Sequence, residues 1–89
     1  MLDVPRLSYF YGISIYMYPR DHNPPHFHVF YGEFSAQVQI SNGALIGGGL
    51  PVRAERLVGE WLTVHRLDLF RAWALMQEGR SANGIAPLG

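Results

Sequence analysis

The chain of 89 residues contains no cysteine and no lysine. Without cysteine it has no disulfide framework, no thiolate ligand for a metal and no thiol nucleophile. Without lysine it has neither a Schiff-base nucleophile nor the phosphate-binding lysine of a P-loop. It also lacks a run of about twenty apolar residues that would cross a membrane, and the basic start and apolar core of a signal peptide. We therefore expect a cytoplasmic protein with no membrane partner.

Positive and negative charges are balanced, because seven arginines face seven acidic residues. The resulting electrostatic field of the whole chain is weak. It does not favour a nucleic-acid partner, since nonspecific affinity for nucleic acid scales with the number of phosphates neutralised. The length and an apolar content of 48% indicate one domain over residues 1–89, with residues 1–8 and 80–89 as flexible ends. A chain of this size buries only about 60 to 65% of its unfolded surface, so a homodimer or another partner would add stability.

The first half of the chain predicts an antiparallel meander. Residues 10–18 alternate between apolar and polar side chains, which is typical of a half-buried strand. The segments HFHVFY and FSAQVQI follow, and only Gly32 and Glu33 separate them. A two-residue hairpin loop at that point sets Tyr31 opposite Phe34 and divides both strands into an apolar and a polar face.

Asn42 and Gly43 indicate a type I′ turn before a short fourth strand at residues 44–46. The three glycines that follow permit a bulge or a close backbone approach. Ahead of the histidines, the segment PRDHNPP is typical of a rigid loop, in which the bond before Pro24 or before Pro25 is a candidate for cis geometry. The four strands make one sheet.

From Pro51 the spacing of the apolar residues becomes helical. One apolar stripe contains Trp61, and a second stripe that contains Trp73 is rotated by roughly 100° on a continuous helix. We expect a kink or tight turn within residues 63–66, hence two helices, with Gly79 as the C-terminal cap. The predicted fold class is therefore α+β, with an antiparallel four-stranded meander sheet covered on one face by two C-terminal helices.

With the helices on the apolar face, the polar face of the sheet stays open. It combines aromatic, amide and imidazole side chains, which are typical of interfaces more than of bare solvent-facing strands. This face and the loop before the histidines form the predicted interaction surface, for which we select Tyr16, Tyr18, Arg20, Asp21, Gln37 and Gln39.

Three of the four histidines lie close together in the chain. His26 and His28, two apart on a strand, project to the same side of the sheet, and His22 lies in the loop before them. Three neighbouring imidazoles can bind zinc or a similar divalent metal, with Asp21 as a fourth ligand or as a hydrogen-bond acceptor from a ligand. In the competing structural interpretation, the prolines shape the loop and the histidines merely cover the sheet face through cross-strand contacts with two glutamines.

A third interpretation of the histidines is catalytic. Two of them would act as general base and general acid, with Arg20 stabilising negative charge, in a ribonuclease that cleaves RNA by in-line attack of the 2′-hydroxyl on the adjacent phosphate. The sequence shows no basic groove that would anchor RNA. The enzyme alternative is thus a metal-dependent or histidine-based ribonuclease or hydrolase that uses His22, His26 and His28.

Two motif runs carry a resemblance to a known family. F-Y-G-I-x-I-x-M-Y-x-x-D-H-x-P-P-H-F-H matches residues 10–28, and L-P-x-R-A-x-x-L-V-x-E-W matches residues 50–61. The chain resembles small bacterial proteins of unassigned function that are recognised by these runs. Members are often encoded beside a second small protein and are described as toxin–antitoxin-like or mobile-element pairs, so the resemblance implies a partner more than a reaction. Arg71 and Ala72 before Trp73 depart from the family, in which an asparagine is usual there.

These observations lead to one functional prediction. The chain is expected to be a small prokaryotic protein-interaction module and one half of a two-gene pair. Its partner is expected to be the small protein encoded next to it, bound through the polar sheet face or the adjacent loop. Closure of the same face by a second copy of the chain is the remaining alternative.

Overall fold

The computed structural model describes residues 4–89 as one antiparallel sheet and one helix. The strands lie in the sheet in chain order, so the sheet is a meander. The elements are β1 (Ser8–Phe10), β2 (Ile13–Tyr16), β3 (His26–Tyr31), β4 (Phe34–Gln39), β5 (Leu45–Gly48) and α1 (Val52–Gln77). The α+β class is confirmed, whereas the prediction of four strands and two helices is wrong.

The additional strand is β1, which lies ahead of the first predicted strand, residues 10–18, and shares only Phe10 with it. Tyr11 and Gly12 have φ angles of +50° and +80°, and they turn the chain between β1 and β2. A tyrosine seldom adopts positive φ, so it is not a turn signal in a sequence. The alternation of residues 10–18 therefore runs through a tight hairpin without an interruption that the pattern reveals.

The central hairpin has the predicted register, with Tyr31 opposite Phe34 and His28 opposite Gln37. This register confirms the apolar face, because its side chains are all at most 4% exposed. They are Ile13, Ile15, Phe27, Val29, Ala36 and Val38. A shift by one residue would turn this whole set toward solvent, so burial of one face fixes the pairing.

The connection from β4 to β5 is longer than predicted. The Gln39 N–H donates to the Ala44 carbonyl at 2.9 Å, so the loop contains four residues and the predicted two-residue type I′ turn is wrong. Gly48 has φ of +70°, and a Cβ atom there would collide with the Ser35 carbonyl. The register between β4 and β5 also shifts by a bulge. The predicted close approach of the glycine segment is therefore confirmed.

The second half of the chain forms one kinked helix instead of two helices. His65 has φ of −113° and ψ of 16°, which are not helical, so the kink lies within the predicted range 63–66. A single non-helical residue is enough to redirect a helix and rotate its buried stripe. The rotation between the stripes of Trp61 and Trp73 therefore needs no separate loop.

Gly79 ends the helix as predicted. It has φ of +73°, and its N–H donates to the Met76 carbonyl at 3.0 Å. The Arg80 N–H donates to the Leu75 carbonyl, also at 3.0 Å. These two bonds form a Schellman motif, which satisfies carbonyls of the last helical turn.

Trp61 is the centre of the contact between α1 and the sheet. Its side chain is 0% exposed. Its ring centroid lies 5.4 Å from that of Phe10 and 5.6 Å from that of Phe27. The indole N–H donates to the Ala86 carbonyl at 2.9 Å, which gives the buried donor the partner it needs.

The C-terminal segment lies against the core. The Ile85 N–H donates to the Leu7 carbonyl at 2.8 Å, and Leu88 packs against the buried cluster. The single domain and the flexible ends at residues 1–8 and 80–89 stay predictions, and residues 1–3 lie outside the described part of the chain. Nowhere in residues 4–89 is there a helix with the length and apolarity that a membrane crossing needs.

Candidate functional site

The loop between β2 and β3, residues 17–25, is fastened to the C-terminal end of α1. The Arg20 N–H donates to the Met76 carbonyl at 3.1 Å. The Gln77 amide donates to the Asp21 carbonyl at 3.0 Å. Arg20 itself has φ of +54°, which turns the chain back toward β3 at this point. The helix end therefore fixes the position of the loop that carries Asp21.

The Asp21 carboxylate lies between two imidazoles of β3. Its Oδ2 accepts a hydrogen bond from His28 Nε2 at 2.9 Å and lies 3.0 Å from His26 Nε2. Its Oδ1 accepts a hydrogen bond from the His22 backbone N–H at 2.9 Å. The ligand-type atoms of Asp21, His26 and His28 all lie within 4.8 Å of one another. One carboxylate oxygen and two ring nitrogens thus form a compact cluster, which we call the Asp21 cluster.

His26 is fully enclosed, with 0% of its surface exposed. Its Nδ1 lies 2.7 Å from the carbonyl of Pro24, which follows a cis peptide bond. A carbonyl oxygen only accepts, so Nδ1 carries the hydrogen. Within residues 4–89 the opposite ring atom, Nε2, makes no hydrogen bond. Its 3.0 Å contact with Asp21 is close, but it lacks the alignment of a hydrogen bond.

The burial of His26 corrects the expectation that its ring projects from an open sheet face. His26 begins β3 and has no neighbour in β2, because β2 ends with Tyr16 opposite His28. The loop of residues 17–25 and the end of α1 fill that gap, and the Trp73 ring centroid lies 5.3 Å from the His26 imidazole. Only His28 keeps the expected position on the open face.

His22 lies at the rim of the cluster, with a side chain that is 68% exposed. Its ring stacks on that of His26 at 4.9 Å. Its Nε2 is 3.7 Å from Asp21 Oδ1, which is farther than either β3 nitrogen lies from Oδ2. The structure thus brings two of the three predicted metal-binding histidines onto Asp21, and the ligand role of His22 stays a prediction.

The electrostatics of the cluster favour the ionised carboxylate. Burial by itself raises the pKa of Asp21. The hydrogen bonds from His28 and from the His22 backbone, together with the charges of His26 and His28, outweigh burial and leave the pKa below the ordinary 3.8. The carboxylate is therefore available at neutral pH as an acceptor or as a ligand.

Tyr18 closes one side of the cluster. Its ring lies edge-on to His28 at 4.5 Å and stacks on Tyr16 at 6.4 Å. Burial, and then the proximity of Tyr16 and Asp21, raise the pKa of Tyr18 above 10.0. Tyr18 is therefore a neutral phenol at physiological pH.

The predicted interaction surface divides into two parts. Arg20 is exposed at the helix end, whereas Asp21 turns inward to the histidines. The other four members are half-buried, and Gln39 donates a hydrogen bond to the Ser41 hydroxyl at 3.0 Å. Cross-strand pairing places most of the polar face in two adjoining rows, which define the open face: Tyr9, Ser14, Tyr16, His28, Phe30, Ser35 and Gln37.

Three features of the site were not found from the sequence. The Trp73 ring covers His26, the Pro24 carbonyl holds its Nδ1, and Gln77 anchors the Asp21 backbone. Only the Pro24 contact has a local signal, because the proline lies two residues before the histidine. Trp73 and Gln77 are more than 45 positions away along the chain, and no spacing rule relates them to the histidines.

The fold and the site define a small α+β domain with an Asp/His cluster beside an open sheet face. A family model described as "Domain of unknown function (DUF4160)" matches residues 12–74. The match covers more than half of the chain, and the chain therefore belongs to this family. All three members of the Asp21 cluster lie within the matched range. No curated protein and no solved structure matches the chain.

Proposed function

We propose that this chain is a small cytoplasmic protein-interaction module that binds the small protein encoded beside it. In this proposal it forms one half of a two-gene prokaryotic pair of the toxin–antitoxin-like or mobile-element kind. The observation that carries the proposal is the open face, which exposes aromatic rings although α1 already covers the other side of the sheet. Support for the paired gene comes from the resemblance of the two motif runs to small bacterial proteins encoded in pairs.

The aromatic side chains of the open face are held in place before any partner binds. Phe30 is 39% exposed, and its ring lies edge-on to Tyr16 at 5.7 Å. Tyr9 is 49% exposed, and the guanidinium carbon of Arg6 lies 4.2 Å from its ring centroid. Rigid aromatic side chains lose little conformational entropy on binding and are frequent at the energetic centres of interfaces.

The test is the affinity of the purified chain for the product of the neighbouring gene. Phe30→Ala and Tyr16→Ala are each expected to weaken binding by at least about tenfold, as for central aromatic residues of an interface. Leu67→Ala is the matched control, because Leu67 is 64% exposed on α1, away from the open face. Its affinity is expected to stay within about twofold of the original.

Two outcomes would contradict this proposal. Equal binding by all three variants would remove the open face from the interface. A stable homodimer that dissociates in Phe30→Ala and does not bind the neighbouring product would assign the face to a second copy of the chain. Sedimentation velocity of the same samples distinguishes these cases.

The Asp21 cluster favours a second candidate function, a metal-dependent or histidine-based ribonuclease or hydrolase. The observation is a carboxylate that holds the Nε2 of a partly exposed histidine, His28, at 2.9 Å. A carboxylate in this position orients an imidazole for proton transfer. His26 is enclosed and does not reach a substrate, so the accessible imidazoles are those of His28 and His22.

The hydrolase candidate requires cleavage activity that depends on His28. Single-stranded and structured RNAs would be incubated with the original chain and with His28→Asn, each with and without added zinc. Loss of cleavage in His28→Asn, with activity retained in His65→Asn, is the expected result. An original chain that leaves every RNA and a set of small phosphate and carboxylic esters intact would end this candidate.

A further inference from the structure

We infer that the Asp21 cluster is a binding site for one divalent transition-metal ion of the zinc type, held by Asp21 Oδ2, His26 Nε2 and His28 Nε2. The inference depends neither on the proposed partner nor on hydrolase activity. It also differs from the set of three histidines that the sequence predicts, because the carboxylate takes the place of His22.

The position of the hydrogen on the His26 ring indicates where positive charge would bind. Its Nδ1 donates to the Pro24 carbonyl at 2.7 Å, so a neutral ring has its lone pair on Nε2. That lone pair lies 3.0 Å from the ionised Asp21 oxygen. Two electron-rich atoms repel at this distance unless positive charge lies beside both of them. A proton or a cation therefore belongs at this point.

The geometry of the contact between His26 and Asp21 distinguishes a proton from a metal ion. A shared proton would lie along the line between Nε2 and Oδ2, and the contact would then have hydrogen-bond geometry. Within residues 4–89, however, the buried Nε2 has no hydrogen-bond partner. Ligands of one ion instead direct their lone pairs to a common point beside the line that joins them. The misaligned contact therefore matches a shared ion better than a shared proton.

The distances allow such an ion after a small adjustment. Zinc binds imidazole nitrogen and carboxylate oxygen at about 2.0 to 2.2 Å, so two ligands of a tetrahedral ion lie about 3.4 Å apart. The contacts of Asp21 Oδ2 with His28 and His26 are 2.9 Å and 3.0 Å. A movement of about half an ångström at Asp21 and the partly exposed His28 would open the cluster to these distances. The ion would replace the proton that His28 Nε2 donates to Asp21 Oδ2, and this proton would leave to solvent.

The ligand types select the class of metal. Two imidazoles and one carboxylate suit zinc and other first-row transition metals, whereas magnesium and calcium prefer all-oxygen sites. Hydrogen bonds on the far side of the ligand atoms also orient two of the ligands. The Pro24 carbonyl accepts from His26 Nδ1, and the His22 backbone N–H donates to Asp21 Oδ1. Such outer contacts are characteristic of metal sites. Three protein ligands leave the fourth position of a tetrahedral ion open.

The test is calorimetric titration of zinc chloride into the full chain, made without a histidine tag and stripped with a chelator. We expect one ion per chain, and no comparable binding of magnesium. Asp21→Asn and His28→Asn are each expected to weaken zinc binding by at least about a hundredfold, because changes even to outer contacts cost 10- to 100-fold. His65→Asn and His22→Asn are the controls and are expected to stay within about threefold of the original.

Circular dichroism before each titration shows whether a variant is folded. If Asp21→Asn does not fold, His28→Asn decides the matter, because its side chain is partly exposed. An independent readout is quenching of tryptophan fluorescence by cobalt, since Trp73 lies 5.3 Å from His26, and this quenching should disappear in Trp73→Phe. Absence of zinc binding, or binding that His22→Asn abolishes and Asp21→Asn leaves intact, would overturn the inference.

Discussion

Two regions of the molecule place histidine beside aspartate, and they differ in what holds the side chains. In the Asp21 cluster the carboxylate belongs to a loop that α1 fastens, and His26 is 0% exposed. At the helix kink His65 Nδ1 lies 3.4 Å from Asp68, whose side chain is 53% exposed. The same residue types form a convergent site in the first region and, in the second, a single contact between a histidine that is 15% exposed and a carboxylate that is largely in solvent. The difference shows that backbone anchoring and burial, not composition, make the candidate site.

The largest expected difference between the two regions is in stability. His26→Ala removes a buried ring and leaves the Pro24 carbonyl without its hydrogen-bond donor, whereas the Asp21 carboxylate keeps its hydrogen bonds from His28 and from the His22 backbone. This substitution should lower the free energy of unfolding by about 2 to 4 kcal/mol. His65→Ala should cost less, about 1 kcal/mol, because it removes the ring contact with Trp61 but leaves Asp68 in contact with solvent. Urea denaturation of the metal-free proteins measures both values, and equal losses would remove the contrast.

Removal of the Asp21 carboxylate should likewise destabilise the chain more than removal of the Asp68 carboxylate. Asp21→Ala removes an acceptor from two hydrogen bonds to a charged group and should cost about 1.5 to 3 kcal/mol. Asp68→Ala should stay within about 0.5 kcal/mol of the original. Because folding lowers the pKa of Asp21, its contribution is present above pH 3.8 and is lost as pH falls through the lower, folded-state pKa. Denaturation at several acidic pH values should show the cost of Asp21→Ala shrinking in that range.

Two glycines, one at the end of α1 and one inside it, test the account of the helix end to which the Asp21 loop is fastened. Gly79 has φ of +73° at the helix end, so Gly79→Ala should cost about 1 to 2 kcal/mol. Gly59 lies inside α1 and a Cβ atom there meets nothing within 4 Å, so Gly59→Ala should stabilise the chain by about 0.5 to 1 kcal/mol. Thermal melts followed by circular dichroism give the signs. The same sign for both variants would contradict this account of the helix end.

The smallest expected effect concerns the contact between Gln77 and the Asp21 carbonyl. Gln77→Ala should cost about 0.5 to 1 kcal/mol, the net value of one hydrogen bond. Amide hydrogen exchange should become faster in residues 17–25 and stay unchanged around His65. Unchanged exchange in the loop would mean that the Arg20 contact with Met76 is a sufficient anchor by itself.

The sequence predicts the part of the fold that follows from short-range periodicity. The register of β3 and β4 was correct because a two-residue loop and a period of two leave little choice once Phe27 and Val29 must be buried. The cap at Gly79 was predicted correctly because few residue types other than glycine adopt positive φ without strain. The break between β1 and β2 was missed because Tyr11 adopts a conformation that its side chain disfavours.

The candidate site was predicted in its members but not in its arrangement. The motif placed Asp21, His26 and His28 close together, and they do converge. The burial of His26 depends on Trp73 and on the early end of β2, which are facts of tertiary packing. A strand pattern assigns His26 to the same side as His28, and it contains no information about what closes over the first residue of the strand.

The most direct test of the central claim is a crystal structure of the chain grown with zinc, with diffraction data collected on both sides of the zinc absorption edge. The account predicts one strong anomalous peak per chain, within about 2.2 Å of Asp21 Oδ2, His26 Nε2 and His28 Nε2. An empty Asp21 cluster, or a peak at His65 and Asp68 instead, would contradict it.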